Sequence, residues 1–516
     1  MLNINALALV CGFALFAWWI GTVLFKPKHN YPPGPKGLPI IGSLLAINNE
    51  RPWVTYDQWA RQYGDIVMYW VMGKPVLLLG KMEHAENLLQ KRMMTYGDRP
   101  QLVMAQEYVT QNGWYIGTAR AEHGTHKKHR KLLGQHLRKS ALPDWAQPVE
   151  LREVHLLLQR LGEQPQRFVN IIKCFTVNVM LNTTFAHGSV PTLDNPLVSR
   201  INAATDHQFV TQIMGRFWVD YMPFLDYLPA WLPGMGWKKQ GLLWRDEVDT
   251  LYGELWDATK KRREAGDPRP CLVQKILETQ MDEISELEGT TISAAVVDAG
   301  TETLTATTII LLIIFLYYPD VLRKAQRSVD EVVGRDRLPS FGDLGRIPYI
   351  TAMVREAFRW RTVAPVAIPH AAVRDDVYAG YFIPKGTTVF ALSQRIHEDE
   401  ELYPNHEDFK PERFLDKDGQ VNNLPHAGFG FRKCLGQHLA EETLFLVMAS
   451  FVWAFDIRPP LDKEGRPIRP SLDPLDWGAF LASPPPMDFE AIITPRCEAA
   501  IKIINEAVEQ DKASAS

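Results

Sequence analysis

One of the chain's five cysteines stands apart by its neighbours. Cys434 falls in GFGFRKCLGQHLA, residues 428–440, where glycines at 428, 430 and 436 surround an aromatic residue, an arginine and the thiol. A metal-bound thiolate is held deprotonated by the positive end of a helix and by free backbone N–H groups. A cysteine just ahead of the helical pattern LAEETLFLVMASFVWAF is placed to receive both. The glycines let the backbone turn tightly and approach a flat ligand, so a buried planar macrocycle fits the loop. Taken alone, the loop equally fits a tight turn with an incidental thiol. The other cysteines, Cys11, Cys174, Cys271 and Cys497, form no CxxC pair and have no histidine at a ligand interval. That argues against a disulfide framework and a structural zinc site.

Three further stretches carry chemistry-bearing residues at suggestive spacing. AGTET, residues 299–303, places an acid and an alcohol inside an apolar run from Ile292 to Leu316. An acid and hydroxyl are costly to bury in such a helix unless they are used. REAFRW, residues 355–360, puts Glu356 and Arg359 one helical turn apart on one face. HKKHRKLL, residues 126–133, concentrates positive charge, which reads either as a solvated helix face or as a docking patch for an acidic partner.

The elements that must position these residues are mostly helical. The composition, 46% hydrophobic and 22% charged, supports a large core. With 56 basic and 60 acidic residues the formal net charge is -4, so no nucleic-acid partner is expected. Helical periodicity runs through LREVHLLLQRL from Leu151, VDTLYGELWDATKKRREAG from Val248 and PDVLRKAQRSVDEVVG from Pro319. Strand-like runs occur at Ile66–Gly80, with a turn expected at Gly73 and Lys74, and at VFALS from Val389. The expectation is a mainly α fold with a small β region near the N-terminal third.

At the N-terminus, Ile4 to Phe25 is free of charge and as a helix would span roughly 33 Å, enough for a bilayer core. Lys26 and Lys28 follow this run and nothing basic precedes it, which predicts a retained transmembrane anchor with the body on the cytosolic side. The expected organisation is an anchor over 1–25, a Pro/Gly-rich hinge over 26–50, a catalytic domain over 51–500 and a polar tail over 501–516.

With these motifs in this order, the chain resembles the cytochrome P450 family, the haem-thiolate monooxygenases, and in particular the membrane-anchored type of filamentous fungi. In the proximal loop Gly430, Arg432, Cys434 and Gly436 match the family pattern and Phe429 remains aromatic, while Ala427 stands where the family has its first aromatic. The resemblance implies a P450 fold with haem b buried between the central long helix and this loop. It further implies Cys434 as axial iron ligand, with Arg432 pairing with a propionate. Arg130 matches another propionate position, His126 stands where tryptophan is usual, and His370 in IPHA resembles a further propionate partner. AGTET resembles the family's central helix, where a small residue and a glycine make room for oxygen. That makes Glu302 and Thr303 the expected proton-delivery residues, with Leu304 at a position often occupied by a second hydroxyl. Glu356, Arg359 and Arg413 of PERF match the structural charged triad.

The resemblance implies an enzyme that uses O2 and electrons from NADPH through a separate reductase, with cytochrome b5 as a second candidate donor. No flavin or dinucleotide motif lies in this chain, so the electrons must come from a partner. Lys127, Lys128, Lys131 and Lys433 form the expected docking patch. The expected location is the endoplasmic reticulum membrane, and the expected substrate a hydrophobic small molecule, aromatic and alkaloid-like compounds included, in fungal secondary metabolism. The pocket is expected to be lined by segments around Gln106–Ile116, Phe209–Trp237, Asp298–Thr303 and Val363–Ile368, and by ASPPPM from Ala482. Oxidation of xenobiotic or primary aromatic compounds is the nearest alternative. A haem-thiolate ligand binder or isomerase that does not oxygenate is the reading from another class, which the acid–alcohol pair disfavours.

Overall fold

Apolar residues at helical spacing, with proline at the first turn of several segments, set most element boundaries. The computed structural model describes residues 29–515 apart from 49, 111–112, 122–123, 268, 280–283, 423–427, 474–476 and 478–484. The anchor Ile4–Phe25, Ala427 and Ala482–Pro484 lie outside the described residues. Among those described, the helices of eight residues or more are α1 Pro52–Tyr63, α2 Thr125–His136, α3 Gln147–Glu163, α4 Phe168–Phe185, α5 Pro196–Gln212 and α6 Gly236–Glu264. They continue with α7 Leu272–Thr279, α8 Glu286–Tyr317, α9 Pro319–Val333, α10 Pro348–Trp360, α11 Gln437–Ala454 and α12 Glu498–Ala515. The strands are β1 Ile66–Val71, β2 Lys74–Leu79, β3 His370–Ala371, β4 Asp376–Tyr378, β5 Tyr381–Ile383, β6 Thr388–Ala391, β7 Phe455–Arg458 and β8 Ile492–Pro495.

The 32-residue α8 is the axis of the molecule. It starts with a capping box, in which the Ser285 hydroxyl accepts from the Glu288 N–H while the Glu288 carboxylate accepts from the Ser285 N–H. Beyond that first turn it is apolar nearly all round and buried between α4 and α6, with α10 and α11 joined to the same core. By length and composition two described helices, Pro165–Phe185 and Glu286–Tyr317, would suffice to cross a membrane, but both are largely buried inside the protein.

The sheet differs from its expectation. β1 and β2 form the expected hairpin, turning at Met72 and Gly73 with Lys74 already in the strand, but the sheet order is β1-β2-β6-β3. β2 pairs in parallel with β6, Val76 opposite Thr388, so residues from both ends of the chain build it. The Tyr31–Gly42 stretch, part of the expected hinge over 26–50, lies against β1. Met68 N–H donates to Pro33 at 2.9 Å, Tyr31 meets Trp70 edge-on, and Ser43 N–H donates to Trp70 at 2.7 Å. The expected polar tail from 501 is also corrected, because Ala500, Ile504 and Val508 recur every four residues and are buried. That stripe packs α12 on α3, where His155 meets Asp511 at 2.7 Å.

One buried charge network fixes the approach to the cysteine loop. Glu356 and Arg359 on α10 are 0% and 1% exposed and pair through two bonds of 2.7 and 2.8 Å. Arg359 also donates to the carbonyls of His397 and His406, each at 2.9 Å. Arg413 reaches Glu356 at 3.3 Å and donates to the Asn405 carbonyl at 2.6 Å, while the Lys410 N–H donates to the same carboxylate at 2.9 Å. α10 thereby clamps the loop 397–413 from several sides, the geometry that makes a buried ion pair worthwhile. Glu356→Ala leaves two arginines without their buried counterion, and a loss of about 3–5 kcal/mol in stability is expected, read by denaturant unfolding.

Candidate active site

Residues 428–436 rest on the helical turn Glu86–Lys91, where Gly430 N–H donates to Gln90 Oε1 at 2.6 Å. Gly430 has φ +50°, and a Cβ there would lie 2.6 Å from the Leu89 carbonyl oxygen. Gly428 has φ +89°, with the Arg432 carbonyl oxygen 2.8 Å from such a Cβ, so both positions require glycine. Gly436 has an ordinary φ of -80° and caps α11, so what it contributes is its N–H. Phe429 is buried with Leu88, Leu89 and Tyr96 and anchors the loop from beneath.

Cys434 is exposed, yet surrounding protein desolvates its sulfur and raises the thiol pKa. Opposing this are the Gly436 N–H, the Arg130 guanidinium and the Gln437 N–H. The donors are those the sequence placed there, the first N–H groups of α11 plus one cation. In the bare chain burial outweighs them, so the thiolate needs a further positive partner, and a metal ion is the chemical form such a partner takes.

Beside the loop, three guanidiniums converge. Arg432 is buried and donates to Gly97 O at 2.9 Å and Ala119 O at 2.7 Å, while its Nη1 has no partner among the described residues. Arg99 donates to Gly117 O at 2.9 Å, Ile368 O at 2.7 Å and Pro369 O at 2.8 Å. Arg130 donates to the Lys433 carbonyl at 2.7 Å. Burial lowers all three, Arg432 to about 10; Arg432 and Arg130 further depress Arg99, and Arg130 depresses Arg432, with Asp98 as the carboxylate that offsets Arg99 and Arg432. His126 is pushed down to about 3 by burial and by Arg432, Arg130 and Arg99, so it is a neutral ring, and its buried Nε2 is unpartnered among the described residues. His370 is likewise held neutral, by burial and Arg99. Its Nδ1–H donates to Tyr96 O at 2.8 Å, which leaves Nε2 as an acceptor that must take a proton before it can hold a carboxylate.

Cations packed this closely against so little negative charge need an anionic partner. The unpartnered Arg432 Nη1 and His126 Nε2 are free to bind one. The two propionates of haem, with its iron for the thiolate, fit this donor set.

On α8, Ala299 and Thr303 are the exposed positions between Ile292 and Leu316, so the middle of a core helix borders open space. They are four residues apart on one face, and the Thr303 hydroxyl donates to Ala299 O at 2.7 Å. Its lone pairs are then what it presents to the cleft. Gly300 does not open that face: a Cβ there would lie 2.4 Å from Met180 Sδ, so the glycine admits α4. Leu304 is buried. Glu302 is half-buried, and burial raises its carboxyl, Asp206 adding to the rise and Lys173 opposing it. It therefore faces a charged patch beside the cleft, not a wholly apolar wall.

Some expected residues are placed elsewhere. The Gln106 side chain bonds Pro100 O, Thr118 O and the Leu102 N–H, so it staples its own segment. Tyr115, from that segment, packs near Gly117 and Ile368. Lys128 is engaged by Glu288, leaving Lys127, Lys131 and Lys433 as exposed members of the basic patch. Sequence reading missed Arg99 and Asp98. The available signal was a charged pair in a loop, GDRP at residues 97–100, without a helical partner.

A family model described as Cytochrome P450 matches residues 32–489. The chain is 32% identical to cytochrome P450 monooxygenase 58 of Postia placenta, covering 95% of this chain and 93% of that protein. It is 33% identical to cytochrome P450 monooxygenase COX2 of Coprinopsis cinerea, with 98% and 96% covered. It is 32% identical to cytochrome P450 monooxygenase claR of Ampulloclitocybe clavipes, with 92% and 88% covered.

The charge imbalance has opposite consequences with and without the anion. Arg432→Leu relieves like-charge repulsion, so the haem-free protein is expected to be no less stable. Loss of one charge-assisted contact is expected to weaken haem retention roughly ten- to hundredfold. Haem transfer to an apoprotein acceptor and unfolding of the haem-free form measure the two effects separately.

Proposed function

Because the chain belongs to the cytochrome P450 family of haem-thiolate monooxygenases, we propose that it inserts oxygen into a hydrophobic small molecule, with NADPH electrons delivered by a separate reductase. In this family the haem lies between the central helix and the cysteine loop, here α8 and residues 428–436. Haem bound through Cys434 supplies the iron chemistry that activates O2, and a thiolate ligand favours O–O cleavage. The observation that carries the reading is the cysteine sulfur faced by the first N–H groups of α11 beside cations that await an anion.

The chain's own residues then divide the work. Gly436 and Gln437 N–H groups hold the sulfur's negative charge, while Arg432, Arg130, Arg99 and neutral His126 hold carboxylates. His370 joins them once it is protonated. Thr303 presents an oxygen to the cleft and donates its proton to Ala299 O, ready to exchange that acceptor for another. Glu302, with its raised pKa and its neighbours Asp206 and Lys173, holds and passes a proton between the solvent side and Thr303. A mere ligand binder has no use for this pair.

The partners follow from the surface. Lys127, Lys131 and Lys433 favour an acidic reductase on the face of the cysteine loop. On another face Trp218, Phe224, Tyr227 and Trp231 are exposed, Tyr227 at 90% and Trp231 at 79%. Leu44 and Ile47 pack with Ile213, Met214 and Tyr221 on that side, which joins the aromatic segment to the start of the described chain. This surface suits an endoplasmic reticulum membrane that also stores apolar substrate. The relatives are named as monooxygenases of fungi, and the setting proposed for this chain is fungal secondary metabolism.

Reconstitution with reductase, NADPH and O2 against a panel of apolar aromatic compounds tests the reading, with oxygenated product expected. Cys434→Ala is expected to abolish the thiolate-type Soret band of the reduced carbon-monoxide complex, and persistence of that band would overturn the ligand assignment. Thr303→Ala is expected to keep its haem and lower product per NADPH consumed. Glu302→Gln is expected to lower turnover about 10²-fold, the lower end for a proton-transfer group.

A further inference from the structure

Beyond the first turn of α8, Asp298 is the acid that proton delivery leaves unused. It is fully buried, one residue before Ala299. Its Oδ1 accepts the Thr205 hydroxyl of α5 at 3.0 Å and the Tyr252 hydroxyl of α6, while Oδ2 has no partner among the described residues. Both hydroxyls converge on the one carboxyl oxygen that faces α5 and α6. Those two helices flank the exposed aromatic segment Phe217–Trp237. α6 also closes on the segment Met104–Val109, where Gly241 lies against Met104 and Tyr108, and Arg245 donates to the Glu107 carbonyl. α5, α6 and this segment form one roof.

We propose that Asp298 is a positioning residue whose carboxyl group ties α5 and α6 to the central helix beside Ala299, and so sets how readily the space over the haem opens to substrate. The proposal rests on the monooxygenase reading and deepens it. A carboxyl that accepts two hydroxyls in a dry interior holds strongly, because no water competes for the donors. Releasing it lets both helices lift together.

The groups acting on Asp298 are Tyr252 from α6, Thr205 from α5, Glu302 on its own helix and Tyr115 from the loop beyond the Met104–Val109 segment. None of these is a cation. Burial first, and then Glu302, push the carboxyl up to about 7, against the Tyr252 and Thr205 hydroxyls. The sign of the pH effect follows. With the roof closed the group keeps its proton; with the roof lifted, water returns its pKa toward the ordinary carboxyl range. The open form therefore binds fewer protons, and opening is favoured as pH rises through about 7.

The test uses the haem-loaded, reduced protein and two ligands that do not titrate, carbon monoxide and tert-butyl isocyanide, with association followed at the Soret band. In the native protein the isocyanide rate relative to carbon monoxide is expected to rise roughly three- to tenfold from pH 6 to pH 8. Asp298→Asn keeps an oxygen for both hydroxyls and cannot ionise, so its ratio is expected to stay low at every pH. Asp298→Ala is expected to be fast at every pH. If that variant does not retain haem, Tyr252→Phe and Thr205→Val, each lacking one donor, are expected to show the same acceleration in part. A native-like pH dependence in Asp298→Asn, or unchanged isocyanide rates in the donor variants, overturns the proposal. Absence of a thiolate-type carbon-monoxide band in the native protein would instead sink the underlying monooxygenase reading, a separate result.

Discussion

The cleft beside the cysteine loop is built around a charge imbalance, and the rest of the structure exists to hold it in place. Arg99, Arg130 and Arg432 come from a loop, from α2 and from the cysteine loop, segments with no local reason to approach one another. Each is fixed by carbonyl oxygens, which orient a guanidinium without neutralising it. Carboxylate partners in those places would have made the cluster self-sufficient and closed it to an outside anion. The neutral state of His126 and His370 follows first from burial and then from the same field, since a proton added to either ring would join the charges of Arg99 and Arg432, and at His126 that of Arg130 too.

Keeping such a cleft in register requires a rigid frame that does not use the same charges. The Glu356–Arg359–Arg413 network supplies it, and its logic is the reverse of the cleft's: a carboxylate stands between the two guanidiniums and accepts from both, as well as from the Lys410 N–H. It ties α10 to the loop 397–413, and the chain then runs on toward residues 428–436. The two networks explain why one chain can bury several arginines in two places and have them do opposite things. What decides is whether a carboxylate bonds the guanidiniums directly, as Glu356 does, or offsets them only through its charge, as Asp98 does for Arg99 and Arg432.

The legible parts of the sequence were those whose partners lie close along the chain. Glu356 and Arg359 are three residues apart, and Cys434 lies just before the helix whose N–H groups face it, so spacing singled out both, while their roles came from the order of all the motifs together. The long helices were legible for the same reason, since periodicity is local. The pairing of β2 with β6, more than 300 residues later, leaves no local trace, so the strands at Ile66–Gly80 and Val389 were legible while their joining in one sheet was not. Arg99 and Asp98 were missed because their meaning comes from Arg432 and from carbonyls at Ile368 and Pro369. The C-terminal helix was read as a polar tail because most of its residues are polar. Only the stripe of Ala500, Ile504 and Val508 shows that one side is core.

The central helix shows how a single apolar element can carry several duties without mixing them. Successive residues of an α-helix point about 100° apart, so AGTET distributes its side chains around the axis. Ala299 and Thr303 share the face that borders open space, Gly300 admits Met180 of α4, and Glu302 looks toward Asp206 and Lys173. Asp298, one step back, reaches the helices on another side. The glycine expected to make room for oxygen makes room for packing, and the small residue before it keeps the open face clear. A glycine and an alanine side by side are therefore not two versions of one requirement. Exchanging them would place a methyl group against Met180 while gaining nothing at the cleft, because the constraint on each position comes from a different neighbour.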